Sequence, residues 1–475
     1  MPVKDKYLPK YLRIRKNLME QISQGKLRPG DKIPSENILP KIFNTSKATA
    51  VKAVEELVRE GYIEKVNGKG SYVTAKAETT ILNLGTFDCP SELLKLFERA
   101  NPTIKINPVN YDHDNFHQVI ETEPLDVYQL TDYEFHYMAA NNYLIDLWEY
   151  FLTSSENQSA FYPEALRLFN FHGYQYAMPY LFSPLAMFHN KNIFRTENVK
   201  LPQPGWTWAD MVKTAQRLTA KDENENFYRR FGLIFAHYRN RWPFFIVQNG
   251  GEVISQPEER CCLDSPEAVD AIRFVTSLLF DYRVMPVYFQ NTTKDLAKTF
   301  FKEQRAAMLF SSYYTLRGIK NDNFDIAVSE LPNGQRKVNG LIGDAFAISR
   351  QTKNFNAAHK FINFMLSAEA QTFIKKQGIA IPVTRAIAES EQNIPTWISR
   401  EEYFKFKPLL ENGRKIIDIS DTRLLTPFWR QLDRVWTNIE SPAVACQTAS
   451  SEINQAFKNM KMNFVSETYN SSGRK

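Results

Sequence analysis

The side chains with the clearest chemical use in this sequence are lysines and arginines near the N-terminus. Residues 1–76 hold 16 Lys and Arg against 8 Asp and Glu, whereas the rest of the chain holds 43 against 45. The basic excess of the protein therefore lies in its first 76 residues. Clustered positive charge attracts phosphate, so this segment has the electrostatic footprint of a domain that binds nucleic acid.

The histidines and cysteines lack the spacing that catalysis or metal binding requires. The seven histidines form no HExxH-type motif. His113 and His117 are four residues apart, but Asp112-His113-Asp114-Asn115 is more typical of a polar loop or a helix cap than of a metal site. The cysteines are scattered, and the pair Cys261-Cys262 has no metal-ligand spacing, so we expect reduced packing thiols. We predict no catalytic residue, no metal and no cofactor.

Three helices are predicted in the basic segment. Apolar residues recur at helical spacing from Tyr11 to Ser23. A second helix is predicted to begin at Ser35, whose hydroxyl can cap its first turn, with Glu36 favoured beside it by the helix dipole. The third helix runs from Ser46 to about Glu60. Asn44 suits the sharp turn before it, because asparagine tolerates the left-handed conformation.

Turn and strand signals complete this segment. Leu27-Arg28-Pro29-Gly30-Asp31 is typical of a tight turn, in which Pro29 presets one dihedral angle and Gly30 accepts a positive one. Two short strands, Tyr62 to Val66 and Ser71 to Thr74, are joined by the hairpin signal Asn67-Gly68-Lys69-Gly70. A helix, a helix-turn-helix and then a basic hairpin is the order of elements in a winged helix.

These motifs closely resemble the GntR family of transcriptional regulators. The resemblance implies an α+β winged helix-turn-helix DNA-binding domain over residues 1–76. Several motifs in register are more specific than any one of them alone. They are Leu27-Arg28-Pro29-Gly30-Asp31, Ile33-Pro34-Ser35-Glu36, Glu56-Leu57-Val58-Arg59-Glu60-Gly61-Tyr62-Ile63 and Gly68-Lys69-Gly70-Ser71-Tyr72-Val73.

The third helix is the expected reader of the major groove, because a helix fits that groove and its N-terminal residues point at base edges. The alternative is that its lysines only form a solvated face. This explanation fits any single lysine better than it fits the whole group of lysines. The resemblance assigns DNA contacts to Ser35, Glu36, Thr45, Ser46, Lys47, Thr49 and Lys52, and to the wing residues Gly68, Lys69 and Gly70.

Three positions depart from the family pattern. Asn37 stands where the family usually has arginine, Val51 where it often has another arginine, and Pro40 where it has a small residue. Pro40 would lie five residues past the predicted cap, where the N–H of a residue normally bonds within the helix. Proline lacks that N–H, so we expect a kink in the second helix. Fewer arginines predict weaker bidentate readout of guanine, or a different operator.

The rest of the chain has the pattern of an α/β domain. With 475 residues, 43% of them hydrophobic, the protein is too long for one ordinary core. After a linker at residues 77–80, strand and helix patterns alternate through residues 81–463, which favours a largely parallel sheet. Residues 464–475 are predicted to be a disordered tail. The first elements are a strand at Ile81–Gly85, a helix from Glu92 to Arg99, and strands at Ile104–Asn107 and Leu125–Tyr128.

Residues 81–463 resemble the extracellular solute-binding proteins of the maltose-binding-like, carbohydrate-binding class (family 1). The resemblance implies an α/β bilobal type II periplasmic-binding-protein fold. The order of the motifs carries it, rather than any one of them. They are Met178-Pro179-Tyr180, Ala186-Met187-Phe188-His189-Asn190-Lys191, Gly205-Trp206-Thr207-Trp208-Ala209-Asp210, Gln248-Asn249-Gly250-Gly251, Ala306-Ala307-Met308-Leu309, Gly343-Asp344-Ala345-Phe346-Ala347-Ile348-Ser349, Ala357-Ala358-His359-Lys360-Phe361-Ile362 and Ala380-Ile381-Pro382-Val383.

Such a fold binds its ligand in a cleft where strands end and loops begin. Sugars present hydroxyls at the ring edge and C–H groups on the ring faces, so a site needs carboxylates or amides together with flat aromatic platforms. The candidates are loop residues that follow the expected strands: Phe87, Asp88, Asp132, Tyr133, Ser183, Arg241, Trp242, Tyr313, Tyr314 and Asp344.

Each candidate also has a structural explanation. Trp242 and Tyr313 are as compatible with core packing as with ligand platforms. Asp88 can cap the helix that begins near Ser91, and Asp344 can pair with a lysine at the hinge. Two further tryptophans, Trp206 and Trp208, stand at the start of a helix and are predicted to pack.

These features predict a ligand-responsive transcriptional regulator and no enzyme. The winged-helix domain of residues 1–76, here called the head, would bind double-stranded operator DNA. A saccharide in the cleft would modulate that binding at genes of carbohydrate uptake or catabolism. Some GntR regulators carry an aminotransferase-like domain, but the required Schiff-base lysine in a phosphate-cradling context is not evident in this sequence. We expect a homodimer, because one winged head contacts only a short half-site. We also expect a cytoplasmic protein without membrane contact, since Met1–Lys10 lacks a signal-peptide core and no apolar run approaches roughly 18 residues.

Two alternatives remain. The large domain could sense a non-sugar ligand or act only as a dimerisation scaffold, or the whole chain could be an unexported transport binding protein. A panel of sugars tests the first alternative, because a ligand that binds only the native state raises its melting temperature. Finding the protein outside the membrane would favour the transport binding protein.

Overall fold

A computed structural model describes residues 9–472, apart from residues 24–25, 60, 75–79, 113–114, 223–226, 236–240, 256–259, 288–295, 317–318, 320–323, 418 and 420. The chain divides into two compact units. One comprises Met1–Gln129 with Gln351–Met365, and the other comprises Leu130–Arg350 with Leu366–Lys475. The first unit includes the head, residues 9–74, which has a hydrophobic core of its own.

The head contains three helices and a hairpin, in the order predicted. They are α1 (Lys10–Ser23), α2 (Leu39–Phe43), α3 (Lys47–Arg59), β1 (Ile63–Val66) and β2 (Gly70–Val73). The two strands pair antiparallel, with Ile63 opposite Val73 and Val66 opposite Gly70. Buried side chains of all five elements meet in one cluster, which includes Leu18 of α1 and Leu57 of α3. The shared core therefore fixes the position of α3 against α1.

The second helix begins at Leu39 rather than at Ser35. Its N-cap is Ile38, which makes no side-chain cap, and Pro40 lies within its first two positions. An amide at that point has no partner inside the helix, so the predicted kink at Pro40 is wrong. The Ser35 carbonyl, not its hydroxyl, accepts the N–H groups of Ile38 at 2.8 Å and Leu39 at 2.9 Å. Asn44 ends the helix in the left-handed conformation, with φ 46°, as predicted.

Strands and helices alternate beyond the head. The strands are β3 (Thr80–Thr86), β4 (Ile104–Asn110), β5 (Val127–Thr131), β6 (Asn170–Phe171), β7 (Tyr174–Gln175), β8 (Met178–Asn190), β9 (Ala220–Lys221), β10 (Tyr228–Phe235), β11 (Ile254–Ser255), β12 (Arg260–Cys261), β13 (Ala306–Ser312), β14 (Ile326–Ser329), β15 (Asn339–Ile348), β16 (Ile381–Pro382) and β17 (Gly413–Arg414). The helices are α4 (Ser91–Ala100), α5 (Phe116–Thr122), α6 (Phe135–Ala140), α7 (Trp148–Phe151), α8 (Ser155–Ser159), α9 (Pro163–Leu168), α10 (Lys191–Thr196), α11 (Trp208–Leu218), α12 (Trp242–Gln248), α13 (Pro266–Phe280), α14 (Leu296–Lys302), α15 (Tyr313–Leu316), α16 (Phe355–Met365), α17 (Ala368–Gln377), α18 (Arg385–Ala388), α19 (Arg400–Phe404), α20 (Phe406–Glu411), α21 (Thr426–Trp436) and α22 (Pro442–Ser472).

Beyond the head, the first unit contains a parallel arrangement of β3, β4 and β5. Leu84 of β3 pairs with Val127 of β5, and β3 pairs with β4 along its whole length. The four elements predicted at the start of this domain are thus confirmed, with β5 starting two residues later than expected. Helices α4 and α16 pack together through Phe97, whose ring lies 5.2 Å from that of Phe361.

The second unit is organised around β8, all 13 residues of which are buried. β8 pairs antiparallel with β13, β14, β15 and β16. Parallel pairing in this unit joins β10 to β13 and β15 to β17. The expectation of a largely parallel sheet is therefore wrong for this unit. Alternation of helix and strand patterns does not encode strand direction, which depends on where each connection returns.

The C-terminal segment is one helix, α22. Its first half packs into the core of the second unit through Cys446, Ala449, Ile453 and Phe457. The helix continues to Ser472, so the predicted disordered tail is corrected for residues 464–472. No proline or glycine stands between Pro442 and Gly473, so nothing interrupts the backbone hydrogen bonding. None of the described helices is long and apolar enough to cross a membrane.

Candidate DNA interface and ligand pocket

The predicted DNA contacts of the third helix lie together at its N-terminal end. The Ser46 hydroxyl accepts the Thr49 N–H at 3.2 Å and lies 2.8 Å from the Thr49 hydroxyl, so Ser46 caps α3. Lys47, the first residue of the helix, is exposed. Thr45 donates its N–H to the Pro40 carbonyl at 3.1 Å, which fixes the turn between α2 and α3. These side chains therefore stand where a helix-turn-helix presents its groove-reading end.

Lys52 lies one turn further along α3 and is directed toward α1. Its Nζ is 4.2 Å from the ring centroid of Tyr11, a cation–π contact. Nearby in the chain, Lys10 Nζ donates to the Asn44 carbonyl at 2.9 Å. Lys10 and Tyr11 were not among the predicted residues, because their proximity to the turn and to α3 depends on how the two helices pack.

Ser35 and Glu36 do not lie at a helix start. Glu36 precedes α2 in a turn and pairs with Lys65 of β1, with Nζ and Oε1 2.7 Å apart. The predicted interaction of Glu36 with a helix dipole is therefore wrong. Its carboxylate instead joins this turn to the hairpin, and the assignment of DNA contacts to Ser35 and Glu36 remains a prediction.

The wing has the glycine conformations that its sequence predicts. Gly68 and Gly70 have φ of 73° and 117°, and Lys69 between them is exposed. The Lys32 side chain lies close to Gly70, since a Cβ there would be 2.6 Å from Lys32 Cε, an atom near the end of a flexible side chain. Lys32 thus places a further basic side chain beside the wing. This position of Lys32 was not predictable from local sequence, since the contact depends on the bridge between Lys32 and Tyr72 of β2.

In the first unit, Phe87 and Asp88 follow β3 and are held by Gln129 of the neighbouring strand β5. Gln129 Nε2 donates to Asp88 Oδ1 at 3.1 Å. The Tyr111 ring lies 6.0 Å from that of Phe87, and its hydroxyl donates to the Gln129 carbonyl. Asp88 does not cap α4, whose N-cap is Pro90 without a side-chain cap. The structure therefore joins these two candidates through an amide and not through a helix end.

In the second unit, a small pocket lies beside Asp132 and Tyr133. Its volume is about 20 Å³, which is room for about one water molecule. Five of its lining residues have branched aliphatic side chains, and the other three are an aspartate, a tyrosine and a lysine. The lining residues are Asp132, Tyr133, Leu341, Ile342, Lys415, Ile416, Ile417 and Ile419.

Burial and nearby charges set the protonation of the groups around this pocket. Burial raises the pKa of Asp132 above its ordinary value, and the Lys415 ammonium partly opposes the rise. Burial also lowers the pKa of His136 to about 3, with Lys415 and His172 acting in the same direction. His136 is therefore neutral at pH 7. Burial is the main cause of both pKa shifts, because it disfavours the charged form of each group.

Arg241 and Trp242 are adjacent in the chain but have different environments. Arg241 is buried, and its positive charge acts on Asp132. Trp242 begins α12 and is 0% exposed, with its ring 4.6 Å from that of Trp436. A ligand platform needs an open ring face. The expectation that Trp242 offers one is therefore corrected, because its indole belongs to the core.

Ser183 and Tyr313 are buried together. The Tyr313 N–H donates to Ser183 Oγ at 2.7 Å, which ties β8 to the start of α15. The Tyr313 side chain is 0% exposed and packs against Trp397 and Phe406, with ring centroids 5.4 Å and 5.1 Å away. Its predicted platform role is corrected for the same reason as that of Trp242.

Tyr314 and Asp344 complete the predicted ligand set. Tyr314 is partly buried against the core of the second unit. Asp344 is buried in β15, opposite Leu181 of β8 and next to a register shift. Ile342 on the same strand lines the pocket and pairs with Ser183. The structure therefore places Asp132, Tyr133 and Arg241 near the pocket, with Ser183 and Asp344 on the two strands that support it.

Trp206 and Trp208 pack as predicted. Trp206 is buried, and its Nε1 donates to the Glu330 carbonyl at 2.9 Å. Trp208 stacks on Phe274 with ring centroids 4.2 Å apart and donates to Gln248 Oε1 at 2.8 Å. Both indoles therefore serve the structure around α11.

The pocket residues that the sequence analysis missed follow β17. This strand pairs in parallel with Asn339 and Gly340 of β15, and so carries Lys415 and the isoleucines after it to the pocket. The signal was a glycine followed by a short basic and apolar run, Gly413-Arg414-Lys415-Ile416-Ile417. Such a run predicts a strand but not which strand it will join.

The structure gives no further support to metal or thiol chemistry. Among the described residues, no group of three or more His, Cys, Asp and Glu is arranged to hold a metal ion. His113, half of the spacing considered above, lies outside the described residues. Burial raises the pKa of Cys261 to about 11 and that of Cys446 to about 12, so these thiols are poor nucleophiles.

Two family profiles match the chain. The profile of the bacterial extracellular solute-binding proteins matches residues 90–372, and that of the bacterial regulatory proteins of the gntR family matches residues 10–73. The chain belongs to the solute-binding protein family and carries a GntR-family head. The GntR head and the solute-binding domain predicted from sequence are thus confirmed.

Relatives of the GntR head are transcriptional repressors. The head is 36% identical over 72 residues to the arabinose metabolism transcriptional repressor of Geobacillus stearothermophilus, a match that covers 15% of this chain and 20% of that protein. It is 39% identical over 74 residues to the HTH-type transcriptional repressor YtrA of Bacillus subtilis (strain 168), covering 16% of this chain and 57% of that protein. The chain therefore spans less than two thirds of these relatives.

Solved structures resemble the solute-binding domain over nearly their whole length. An ABC substrate-binding protein from Listeria monocytogenes in complex with cycloalternan has a TM-score of 0.72 at 22% identity, covering 80% of this chain and 99% of that chain. Maltose-bound MalE3 from T. maritima has a TM-score of 0.68 at 18% identity, covering 79% and 99%. At these identities the likeness shows the fold, which is the MalE-like bilobal fold with a mixed sheet.

Proposed function

We propose that this protein is a transcriptional regulator whose affinity for double-stranded operator DNA changes when a saccharide binds its solute-binding domain. One observation carries the proposal: a single chain joins a GntR head, with Lys47 and the Lys69 wing exposed, to a solute-binding domain with a small pocket beside Asp132, Tyr133 and Lys415. The regulated genes serve carbohydrate uptake or catabolism. The protein acts in the cytoplasm as a homodimer, since paired heads cover two half-sites.

The polar groups of the pocket suit a hydroxylated ligand. The Asp132 carboxylate accepts hydrogen bonds, the Lys415 ammonium donates them, and the Tyr133 hydroxyl does both. The solved relatives named above hold cycloalternan and maltose in the same fold. These groups and these relatives favour a saccharide over an apolar effector.

The size of the pocket gives the proposed mechanism its conformational step. About 20 Å³ cannot hold a sugar ring, so the ligand binds only an arrangement in which the pocket walls lie further apart. A sugar then increases the population of that arrangement by its preference for it. A ligand with equal affinity for both arrangements would leave their populations unchanged. DNA affinity changes if the heads also bind the operator differently in the two arrangements.

A thermal-shift panel of mono- and oligosaccharides tests the ligand part. All seven tryptophans lie beyond residue 147, so intrinsic tryptophan fluorescence reports the solute-binding domain and not the head. A sugar at about 100 times its Kd should stabilise the domain by about 2.7 kcal/mol. Lys415→Met should abolish that shift. Lys376→Met, which removes an exposed lysine of α17, should preserve it.

A binding titration tests the regulatory part. A duplex is first selected by the full-length protein from a random-sequence pool, and its Kd is then measured with and without the sugar that raised the melting temperature. The proposal requires that the sugar change the Kd. If the protein binds DNA but no sugar stabilises it, the scaffold or non-sugar alternative holds. If no duplex is selected while sugars do bind, the protein is a binding protein and not a regulator.

A further inference from the structure

A single segment supplies half of the residues that line the pocket. These residues, here called the isoleucine wall, are Lys415, Ile416, Ile417 and Ile419. We propose that the isoleucine wall moves to admit a sugar, and that the stacking of the Arg423 guanidinium on the Tyr137 ring is a latch that holds the wall in place. The inference rests on the proposed function and deepens it, because it names the contact that opens before a sugar enters.

The other residues that line the pocket are fixed to one another. Leu341 and Ile342 belong to β15, which pairs with β8 at six positions. Asp132, the neighbour of Tyr133 in the chain, is joined to the same strand by two hydrogen bonds with the backbone of Gly343. These parts of the pocket separate only if the sheet itself is disrupted, so they are not the parts that move.

The isoleucine wall has a weaker attachment to the sheet. The strand directly before it, β17, pairs with β15 through Gly413 and Arg414, two positions against the six of β8. Ile417 and Ile419 are held by apolar contacts with the core of the second unit. Apolar contacts are non-directional, so these side chains can repack without leaving hydrogen-bonding groups unpaired. The isoleucine wall is therefore the part of the pocket whose movement costs least.

The latch lies just beyond the wall. Arg423 Cζ is 4.7 Å from the centroid of the Tyr137 ring. The guanidinium also donates to Asp421, with Nε 3.0 Å from Oδ1 and Nη2 2.6 Å from Oδ2. The same carboxylate accepts the Arg423 N–H at 2.9 Å, at the start of the short 3₁₀ helix Thr422–Leu425. Asp421 therefore orients the edge of the guanidinium from its own segment and leaves a planar face for the ring.

Tyr137 belongs to the helix that follows Asp132 and Tyr133. This helix, α6, begins at Phe135, and Tyr137 is buried. The latch therefore joins the segment of the isoleucine wall to the segment that carries the pocket carboxylate. A movement of the wall away from Asp132 separates Arg423 from Tyr137, because each of these two residues is only a few positions from its own side of the pocket.

The latch is strong enough to bias the pocket and weak enough to open. A cation–π contact at a partly exposed site changes an equilibrium by about 2- to 5-fold. The Arg423 side chain is 54% exposed, so after opening it keeps Asp421 and gains water. Such a contact lowers the population of the open arrangement without abolishing it, and the apparent affinity for a sugar falls by the same factor.

Hydrogen–deuterium exchange of the full-length protein tests the latch without any sugar. Arg423→Gln removes the cation and should increase the exchange rates of peptides that span residues 413–419 by about 2- to 5-fold, because exchange follows the population of the open arrangement. Tyr137→Leu should produce the same increase, and the double variant should exchange no faster than either single variant. Tyr137→Phe keeps the ring and should exchange at the wild-type rate.

Arg400→Gln is the matched control. Arg400 lies over the Phe404 ring, with Cζ 5.7 Å from its centroid, and pairs with Glu391, so it makes the same two kinds of contact as Arg423. It is not among the residues that line the pocket. The control variant should leave the exchange of residues 413–419 unchanged.

Titration with maltose, followed by tryptophan fluorescence, tests what the latch does to binding. Arg423→Gln should lower the Kd for maltose by about 2- to 5-fold, because less of the binding free energy is used to open the pocket. Arg400→Gln should bind maltose with the wild-type Kd.

Three results would overturn the inference. The exchange of residues 413–419 could be unchanged in both Arg423→Gln and Tyr137→Leu, the effects of the two substitutions could multiply in the double variant, or the Kd for maltose could stay unchanged or rise in Arg423→Gln. If maltose and every other sugar of the panel fail to stabilise the wild-type protein, the sugar response in the proposed function is wrong. The exchange comparison still decides whether the latch holds the wall, so the two failures are distinguishable.

Discussion

Asp132 and Gly343 exchange two hydrogen bonds. The Asp132 N–H donates to the Gly343 carbonyl at 3.1 Å, and the Gly343 N–H donates to Asp132 Oδ1 at 3.3 Å. The carboxylate that lines the pocket is thus positioned by the backbone of β15. This arrangement holds one carboxyl group of the pocket in a fixed position, where burial disfavours its charged form.

That burial makes the stability of the solute-binding domain depend on pH through Asp132. The pKa of Asp132 is raised, so the folded protein holds this proton more tightly than the unfolded chain. The free energy of unfolding therefore falls as the pH rises from the ordinary pKa of 3.8 through the folded value. Asp132→Asn keeps an oxygen acceptor for Gly343 but cannot ionise. Urea unfolding between pH 4 and pH 7 can be followed by tryptophan fluorescence. The free energy of unfolding of the variant should increase relative to that of the wild type as the pH rises; parallel profiles would contradict this.

His189 should produce the opposite dependence. Burial lowers its pKa to about 3, and its Nε2 lies 2.8 Å from Ser329 Oγ. Below the ordinary pKa of 6.5, the unfolded chain gains a proton that the folded protein does not take up. Unfolding free energy should therefore fall by about 1.4 kcal/mol for each pH unit between pH 6 and pH 4. His189→Gln should reduce that slope in the same urea titration, and an unchanged slope would mean that His189 titrates in the folded protein.

Trp242 should contribute stability whether or not ligand is present. Trp242→Ala removes a fully buried indole that packs on Trp436, so we expect a loss of about 3–5 kcal/mol, with a smaller loss for Trp242→Phe. Urea unfolding monitored by circular dichroism gives both values. A loss of less than about 1 kcal/mol for the alanine variant would show that the ring is not core. Absent sugar binding in Trp242→Ala would therefore reflect damage to the fold.

These results show which features the sequence could predict. The left-handed Asn44 and the positive φ of Gly68 were predictable, because each depends on the backbone preference of one residue. The start of α2 was not, because a cap at Ser35 and a proline at the second helical position are both compatible with the local sequence. The pocket was only half predictable. Asp132 follows a recognisable strand, but Lys415 reaches it through the pairing of β17 with β15, a choice that no local pattern specifies.

Asn44 allows a test of the head that leaves the solute-binding domain unchanged. Its φ of 46° costs alanine roughly 1–2 kcal/mol more than glycine, so Asn44→Ala should destabilise the turn between α2 and α3 and Asn44→Gly should not. Hydrogen–deuterium exchange of the peptide segments that include α2 and α3 measures the difference. Equal protection in the two variants would show that this turn is not constrained to the left-handed conformation.

The positions of the pocket residues along the chain also matter while the protein is being made. The core of the head uses residues between Ile14 and Val73, whereas the wall of the pocket is complete only when Ile419 has been added. A ribosome that stops anywhere between these points releases a chain with a finished head core and an unfinished pocket. On the proposed function, such a fragment carries the DNA-contacting surface of the head without the pocket that responds to sugar.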